Sequence, residues 1–241
     1  MNERDWDRVA GSWDDHIMSS LHENVNGSIA ALIASVGASH RSILDYGCGV
    51  GGYLPLLCAT FERVTAVDYS RKCVEQARAV HGALPNLEVQ TTGQLARRGA
   101  GDSFDAVLMA NVLLHPRPAV RARILDLALG RLRQGGILLL VLPAVESVHL
   151  CEAARRLHTR KRSSAYSRPA RGVFDPGVIA INGQPTKHYS AEEIPLFLQA
   201  RRLSVNSLAR AEYSWRSESF AALDRRLQAR PWDWLVSATR R

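Results

Sequence analysis

The stretch D45-Y-G-C-G-V-G-G52 decides the fold. It follows a short apolar run over 42–46 that is typical of a buried strand, and a helical pattern begins directly after it. Gly47, Gly49 and Gly52 satisfy the spacing G-x-G-x-x-G. Glycines in such a turn let the backbone approach a bound ligand closely. The stretch therefore predicts a nucleoside site on an α/β sheet.

Outward from this loop, strand and helix patterns alternate along the chain. We predict strands over 42–46, 63–68, 87–90, 104–111, 137–142, 203–210 and 232–238. We predict helices over 52–60, 70–81, 117–133 and 145–162, with Ser70 as an N-cap and the pair Gly135-Gly136 stopping the third. This alternation predicts a doubly wound, mostly parallel α/β sheet of seven strands, whose last two strands form an antiparallel edge.

The same pattern divides the chain into four parts. Residues 1–40 form a helical N-terminal cap, in which Trp6 to Leu21 and Val25 to Val36 each follow a helical period. Residues 41–144 form the ligand-binding core. Residues 145–187 form an insertion of a basic helix and a loop, and residues 188–241 complete the sheet after a capping box at Ser190–Glu193.

Composition excludes several classes of protein. The chain has 241 residues with 46% hydrophobic and 22% charged residues, which is ordinary globular composition. It holds no apolar run long enough for a membrane span, and its N-terminus lacks the apolar core of a signal peptide. Its four cysteines form no C-x-x-C pair. We therefore expect a cytoplasmic protein without a membrane partner.

Two kinds of nucleoside ligand fit the glycine loop. Asp68 ends the next strand, where a carboxylate accepts hydrogen bonds from ribose hydroxyls. A dinucleotide would place its pyrophosphate at the helix N-terminus. S-adenosylmethionine instead brings an ammonium and a sulfonium. The carboxylate of Asp45 would repel a pyrophosphate and suits the cationic ligand.

Four motifs carry a family resemblance. They are ILDYGCGVGGYL (43–54), VTAVDYS (64–70), FDAVLMANVLLH (104–115) and LRQGGILLLV (132–141). In this order and spacing, the chain resembles the class I S-adenosylmethionine-dependent methyltransferase family, of the type that acts on small molecules. The resemblance implies a Rossmann-like fold, S-adenosyl-L-methionine as the cofactor, and methyl transfer by in-line displacement to a nitrogen, oxygen or carbon of a metabolite. The sequence contains no cluster of metal-ligating residues, so we expect no metal.

The resemblance also implies roles for individual residues. Those expected at the cofactor are Trp13, Asp45, Gly47, Cys48, Gly49, Asp68, Tyr69, Gln94, Leu95 and Asn111. Asp45 and the glycines would hold the methionine part of the cofactor, with Asn111 beside it. Asp68 would hold the ribose and Tyr69 the adenine, while Gln94 stands where relatives often have an acid for the adenine amino group. Trp13 would belong to a lid over the cofactor.

Candidates for a general base are His115, His16, His188 and Tyr189. His115 lies just beyond the fourth strand, at the edge where open α/β sheets bind ligands. His16 lies on the N-terminal cap, and the pair 188–189 opens the helix after the insertion. A general base is needed only when the acceptor arrives protonated.

Alternative functions remain open. The segment 153–171 is rich in arginine and has no acidic residue, which would suit an RNA or protein methyltransferase. No series of aromatic residues accompanies it, so we favour a solvated helix and a substrate loop. Further hypotheses are a non-methylating enzyme that uses the same cofactor, a non-catalytic subunit that binds the cofactor and, more distantly, an NAD-dependent dehydrogenase. The sequence does not predict the oligomeric state.

Overall fold

A computed structural model describes residues 20–98, 103–158, 166–167, 177–181, 183–218 and 221–241. The strands β1 to β10 are Ser42–Tyr46, Arg63–Asp68, Leu87–Thr91, Phe104–Ala110, Leu132–Pro143, Tyr166–Ser167, Val178–Ile181, Gln184–Lys187, Leu203–Glu212 and Trp232–Arg240. The helices α1 to α7 are Ser28–Gly37, Leu54–Thr60, Arg71–His81, Thr92–Arg97, Pro118–Leu129, Val145–His158 and Glu193–Gln199. A short 3-10 helix covers Ala221–Arg225. Among these helices, none combines the length and apolar character that crossing a bilayer requires.

Seven strands form the central sheet in the order β3-β2-β1-β4-β5-β10-β9. The first five pair in parallel, whereas β10 pairs antiparallel with both β5 and β9. The predicted fold class, including the antiparallel edge, is confirmed. Because β10 runs opposite to its parallel neighbours, its first residues lie at the same edge as the carboxyl ends of β1, β2, β4 and β5.

Apolar side chains pack on both faces of this sheet. Helices α1, α2 and α3 cover one face, and α4, α5 and α7 cover the other. All five residues of β1 are buried, including the polar residues Ser42 and Asp45, which is typical of a central parallel strand covered on both faces. This packing fixes β1 in the middle of the sheet and presents Asp45 and the glycine loop at its carboxyl edge.

The expected end of the helix before β5 is wrong. Helix α5 ends at Leu129, with Gly130 as its C-cap, and β5 already begins at Leu132. Gly135 has a φ of 72°, and Gly136 lies so close to neighbouring backbone that a Cβ would be 2.9 Å from the Asp105 carbonyl. The glycine pair therefore forms an irregularity within the strand, where the pairing register with β4 shifts.

The insertion also differs from the expectation. Its helix α6 is described to His158, and the stretch expected as a loop contains the short antiparallel sheet β6-β7-β8. An Asn-Gly pair at 182–183 joins β7 to β8, which is a common hairpin signal that the loop interpretation overlooked.

The N-terminal cap is described only in part. The first expected helix, with Trp6 and Trp13, lies almost wholly outside the described residues. The second begins at Ser28, because Val25 is half exposed and its N–H donates to the Glu212 carbonyl at 2.9 Å. The expectation that Val25 opens this helix is wrong.

Candidate active site

The glycine loop between β1 and α2 adopts a conformation that only glycine readily takes. Gly47, Gly49 and Gly51 have φ values of 89°, 54° and 95°. A Cβ on Gly47 would lie 2.5 Å from Cγ2 of Val112, so the loop packs against the chain that leaves β4. The G-x-G-x-x-G pattern counts Gly52 as its third glycine. In the structure, however, the third glycine with a positive φ is Gly51.

The N–H groups of this loop are already used within the protein. Gly47 and Cys48 both donate to the Val67 carbonyl, at 2.7 and 3.0 Å. Gly49 donates to Oδ2 of Asp68 at 3.0 Å, and Gly51 donates to the Cys48 carbonyl at 3.0 Å. A diphosphate needs free N–H donors at such a turn. These four groups are committed elsewhere.

Asp45 provides an unpaired acceptor beside the loop. Its residue is 2% exposed, and its Oδ2 has no hydrogen-bond partner among the described residues. Burial, assisted by the negative charge of Asp68, raises the pKa of Asp45 to about 7. An unpaired buried carboxylate is costly. A ligand cation at this place would favour its ionised form.

Asp68 connects the end of β2 to the glycine loop. Besides the bond from Gly49, its Oδ1 accepts the Ser70 N–H at 2.8 Å, and the residue is buried. Tyr69 follows it and is 40% exposed at the same edge. Asp68 and Tyr69 thus lie where the resemblance places the ribose and the adenine, and these roles remain predictions.

Asn111 provides a second unpaired acceptor. It follows β4 with a left-handed φ of 54°, and its N–H donates to the Val141 carbonyl at 2.9 Å. Its Oδ1 is buried and has no partner in the described part of the chain. The backbone bond to Val141 holds Asn111 at the carboxyl edge of the sheet.

Asp233 and its partners were not foreseen from the sequence. Asp233 is the second residue of β10, pairs with Pro143 at the end of β5, and is 8% exposed. Tyr213 donates its hydroxyl to Oδ2 of Asp233 at 2.9 Å. Burial raises the pKa of Asp233 to about 6, while bonds from Tyr213 and Asn111 partly offset that rise. An acid between two tryptophans at the start of a core strand was the available signal.

Tyr53 joins the glycine loop to the N-terminal segment. Burial raises the pKa of its hydroxyl, and the charges of Asp45 and Asp233 add to that rise. That hydroxyl is 2.7 Å from Oγ of Ser20, the first described residue. The described chain therefore begins directly beside the glycine loop.

Three other residues expected at the cofactor have structural partners. Oε1 of Gln94 accepts the Thr91 N–H at 2.8 Å in a capping box at the start of α4, so that oxygen is not free for an adenine amino group. Leu95 is 3% exposed and packs in the core. Cys48 is buried within the loop, and burial raises the pKa of its thiol well above the usual range, which suits a space-filling role.

The candidate bases differ in what their atoms do. Nδ1 of His115 accepts the Arg117 N–H at 3.1 Å, so the neutral ring carries its proton on Nε2. Burial, and then the charge of Arg117, lowers the pKa of His115. The hydroxyl of Tyr189 donates to the Leu113 carbonyl at 2.7 Å, which is a packing arrangement. His16 and Trp13 lie outside the described residues.

His188 is a buried neutral histidine. Its Nδ1 is 3.1 Å from the Thr186 carbonyl and therefore carries the proton, and burial lowers its pKa to about 4. Such a low pKa makes it a weak base at neutral pH. Within the described part of the chain, no three His, Cys, Asp or Glu side chains are grouped to hold a metal ion.

The strand order, the glycine loop and the acid at the end of β2 together define the class I methyltransferase fold. Residues 43–136 match a protein-family model described as a methyltransferase domain. This part of the chain is therefore a methyltransferase domain, and the resemblance seen in the sequence is confirmed. The predicted enzyme class, an S-adenosylmethionine-dependent methyltransferase, and its cofactor agree with this match. A search of curated proteins found no match.

Several solved structures share the fold. A methyltransferase from Anabaena variabilis aligns with a TM-score of 0.64 and 13% identity, over 100% of this chain and 96% of that one. A complex of DhpI with S-adenosylhomocysteine gives 0.61 and 17%, over 99% and 94%. Magnesium protoporphyrin IX methyltransferase from Synechocystis, solved with bound S-adenosylmethionine, gives 0.55 and 16%, over 91% and 80%.

Proposed function

We propose that this protein transfers the methyl group of S-adenosylmethionine to a small-molecule acceptor. One observation carries the proposal: four N–H groups of the glycine loop already donate within the protein, and two buried acceptor oxygens without partners among the described residues, on Asp45 and Asn111, flank the loop. Acceptors in this arrangement suit an ammonium or a sulfonium and oppose a diphosphate. This favours S-adenosylmethionine over a dinucleotide.

The residues at the carboxyl edge fit the parts of this cofactor. Asp45 and Asn111 would accept hydrogen bonds from the ammonium of its amino-acid part. Asp68 would accept from the ribose hydroxyls in exchange for part of its bonding to the loop, and the exposed ring of Tyr69 would lie against the adenine. Backbone groups would contact the adenine amino group, because Gln94 is committed to its capping box.

Bound S-adenosylmethionine supplies an activated methyl group, so the hard chemistry belongs to the cofactor. The protein orients the acceptor in line with the methyl carbon and excludes water. Positioning of this kind contributes up to about 7–11 kcal/mol in favourable cases. His115 follows β4 and carries its proton on Nε2, so it would act as a hydrogen-bond donor to the acceptor.

The insertion supports a small acceptor, because it packs directly on the chain that follows β4. The Lys187 N–H donates to the Leu114 carbonyl at 2.9 Å, and Tyr189 donates to the Leu113 carbonyl. Nζ of Lys187 is buried and lies 2.6 Å from Glu193, which ties β8 to α7. A site enclosed on this side would suit a metabolite better than a macromolecule. Magnesium protoporphyrin IX, named for one structural neighbour, is of that class.

The basic helix α6 also has a structural role. Cys151 and Ala154 pack against Trp215 and Leu223, and Arg156 pairs with Glu152 at 2.9 Å. This packing accounts for the described part of the basic segment without RNA.

Calorimetry with the purified protein tests the cofactor. We expect adenosylhomocysteine to bind and NADH not to bind. Asp45→Asn should weaken adenosylhomocysteine at least tenfold, because it removes the negative charge facing the ammonium. Glu62→Gln removes an exposed acid paired with Arg41 at 3.4 Å and serves as the matched control. Firm binding of NADH without binding of adenosylhomocysteine would overturn the proposal.

Methyl-labelled S-adenosylmethionine tests the acceptor. Incubated with a cell extract separated into metabolites, RNA and protein, the enzyme should label the metabolite fraction and release adenosylhomocysteine. Label in RNA would instead support the alternative use of the basic segment. Release of methylthioadenosine would indicate a non-methylating enzyme, and tight cofactor binding without turnover a non-catalytic subunit.

A further inference from the structure

A concavity of about 500 Å³ lies in the connection between β9 and β10, which is within the size range of small-molecule sites. The connection covers 213–231, of which 213–218 and 221–231 are described. Since β10 runs opposite to both β5 and β9, the connection lies at the carboxyl edge of the sheet, like the glycine loop. The described residues that line the concavity all belong to this connection and are Arg216, Ala221, Ala222, Asp224, Arg225 and Arg226.

A small core beneath this concavity fixes its shape. Trp215 is 0% exposed and packs against Leu223 of the 3-10 helix and against helix α6. Its backbone N–H donates to Oδ1 of Asp224 at 2.9 Å, and its indole N–H donates to the Ala229 carbonyl at 2.9 Å. The backbone that carries the surrounding side chains is therefore held in place before any ligand binds.

The side chains around the concavity carry a surplus of positive charge. Arg216, Arg225 and Arg226 are exposed, and none of them has a side-chain hydrogen bond or an ion pair with another described residue. Asp224 is the one acid in the described lining, and its Oδ1 already pairs with Arg230 at 2.9 Å. Three guanidinium groups thus line the concavity without a counter-charge from the described residues.

Guanidinium groups in this arrangement suit a phosphorylated ligand. Arginine donates from a planar fork that matches the oxygens of a carboxylate or a phosphate. One guanidinium is enough to bind both oxygens of a carboxylate, whereas a phosphate has three terminal oxygens and accepts from several donors. Because the three groups come from two segments of the connection, 216 and 225–226, they favour phosphate over a single carboxylate.

We propose that this concavity is a second ligand site, which binds a small molecule that carries two or more phosphate groups. The site does not depend on the proposed function, because no residue of the glycine loop lines it. The described lining also contains no aromatic side chain, whereas proteins that bind single-stranded nucleic acid use such side chains to stack the bases. A free phosphorylated molecule therefore fits the site better than an RNA backbone.

Calorimetry at low ionic strength tests the site, with tripolyphosphate as the probe. We expect saturable binding by wild type and at least tenfold weaker binding by the double variant Arg225→Gln with Arg226→Gln. The control is Arg97→Gln with Arg123→Gln, which removes the same charge from exposed positions on α4 and α5. The control should bind within threefold of wild type. No binding by wild type, or equal losses in the two variants, would overturn the proposal, because net charge alone would then attract the probe.

Two further probes distinguish the chemistry and the source of the anion. Citrate, which has three carboxylates, should bind at least tenfold more weakly than tripolyphosphate, and equal binding would overturn the preference for phosphate. A short single-stranded RNA should bind more weakly than tripolyphosphate. Tighter binding of RNA, lost in Arg225→Gln with Arg226→Gln, would overturn the small-molecule site in favour of nucleic acid. Binding of adenosylhomocysteine is a separate measurement, so the proposed function stands or falls independently.

Discussion

At the scale of single residues, the site is defined by which polar atoms are satisfied and which are not. The loop amides have hydrogen-bond partners, whereas the carboxylate oxygen of Asp45 and the amide oxygen of Asn111 have none among the described residues. This difference distinguishes a cation site from a phosphate site more sharply than the glycine spacing does. Asp45 is central, because its pKa lies near neutrality in the free protein and a bound cation would lower it.

Cofactor affinity should therefore depend on pH. Burial and the charge of Asp68 hold Asp45 partly protonated below about pH 7, and binding a cation must expel that proton. We expect the Kd of adenosylhomocysteine to fall by nearly tenfold per unit as the pH rises from 5 to 6.5, measured by calorimetry. Asp45→Asn should show a shallower dependence. Equal slopes in the two proteins would mean that another group controls binding.

His115 should contribute as a donor and not as a base. His115→Asn keeps an acceptor for the Arg117 N–H, so the turn before α5 should survive. Once the acceptor is known, we expect kcat to fall less than tenfold, with the acidic limb of the pH profile unchanged. A fall of a hundredfold or more, with loss of that limb, would show that His115 removes the proton from the acceptor.

At the scale of elements, the glycine loop needs glycine for two reasons: its backbone has positive φ angles, and Gly47 packs closely against Val112. Gly47→Ala brings a Cβ to 2.5 Å from Val112, next to Asn111, and also strains a φ of 89°. We expect loss of unfolding free energy and at least tenfold weaker cofactor binding. Gly183→Ala is the control, since its φ is 79° and no atom lies within 4 Å of the added Cβ. Denaturant unfolding should show about 1–3 kcal/mol more loss for Gly47→Ala than for the control.

The N-terminal segment is the second element that bears on the site. The contact of Ser20 with Tyr53 brings the described chain up to the glycine loop. The family resemblance predicts that Trp13 belongs to a lid over the cofactor. Trp13→Ala should weaken adenosylhomocysteine at least tenfold without changing the melting temperature of the ligand-free protein. Unchanged affinity in calorimetry would dismiss the lid role of Trp13.

Elements buried on both sides could be predicted from the sequence, and contacts between distant segments could not. The strands 42–46 and 63–68 were predicted to the residue, because a buried parallel strand is a continuous apolar run. The end of α5 was predicted too late because a glycine pair can mark either a helix end or an irregularity within a strand. Asp233 was missed because its place at the carboxyl edge depends on the pairing of β10 with β5, two strands that lie far apart in the sequence.

At the scale of the whole molecule, the buried carboxylates make the stability of the free protein depend on pH. The pKa of Asp45 in the folded state, about 7, lies above its value of about 3.9 in an unfolded chain. Its contribution to the free energy of unfolding is thus fully present below about pH 4 and is lost as the pH rises through 7. Asp233 acts in the same direction. His188, with its pKa lowered to about 4, acts in the opposite direction and loses its contribution as the pH falls from about 6.5.

A comparison of wild type with Asp45→Asn isolates one of these groups, because both proteins share Asp233 and His188. The variant cannot ionise at this position, so its unfolding free energy relative to wild type should increase between pH 4 and pH 7.5, by at most about 4 kcal/mol. Urea unfolding at each pH measures the difference. Saturating adenosylhomocysteine should oppose the trend in wild type, since it stabilises the ionised carboxylate. A difference that does not change with pH would show that Asp45 is already ionised in the folded protein, and that the glycine loop offers it a partner other than a ligand cation.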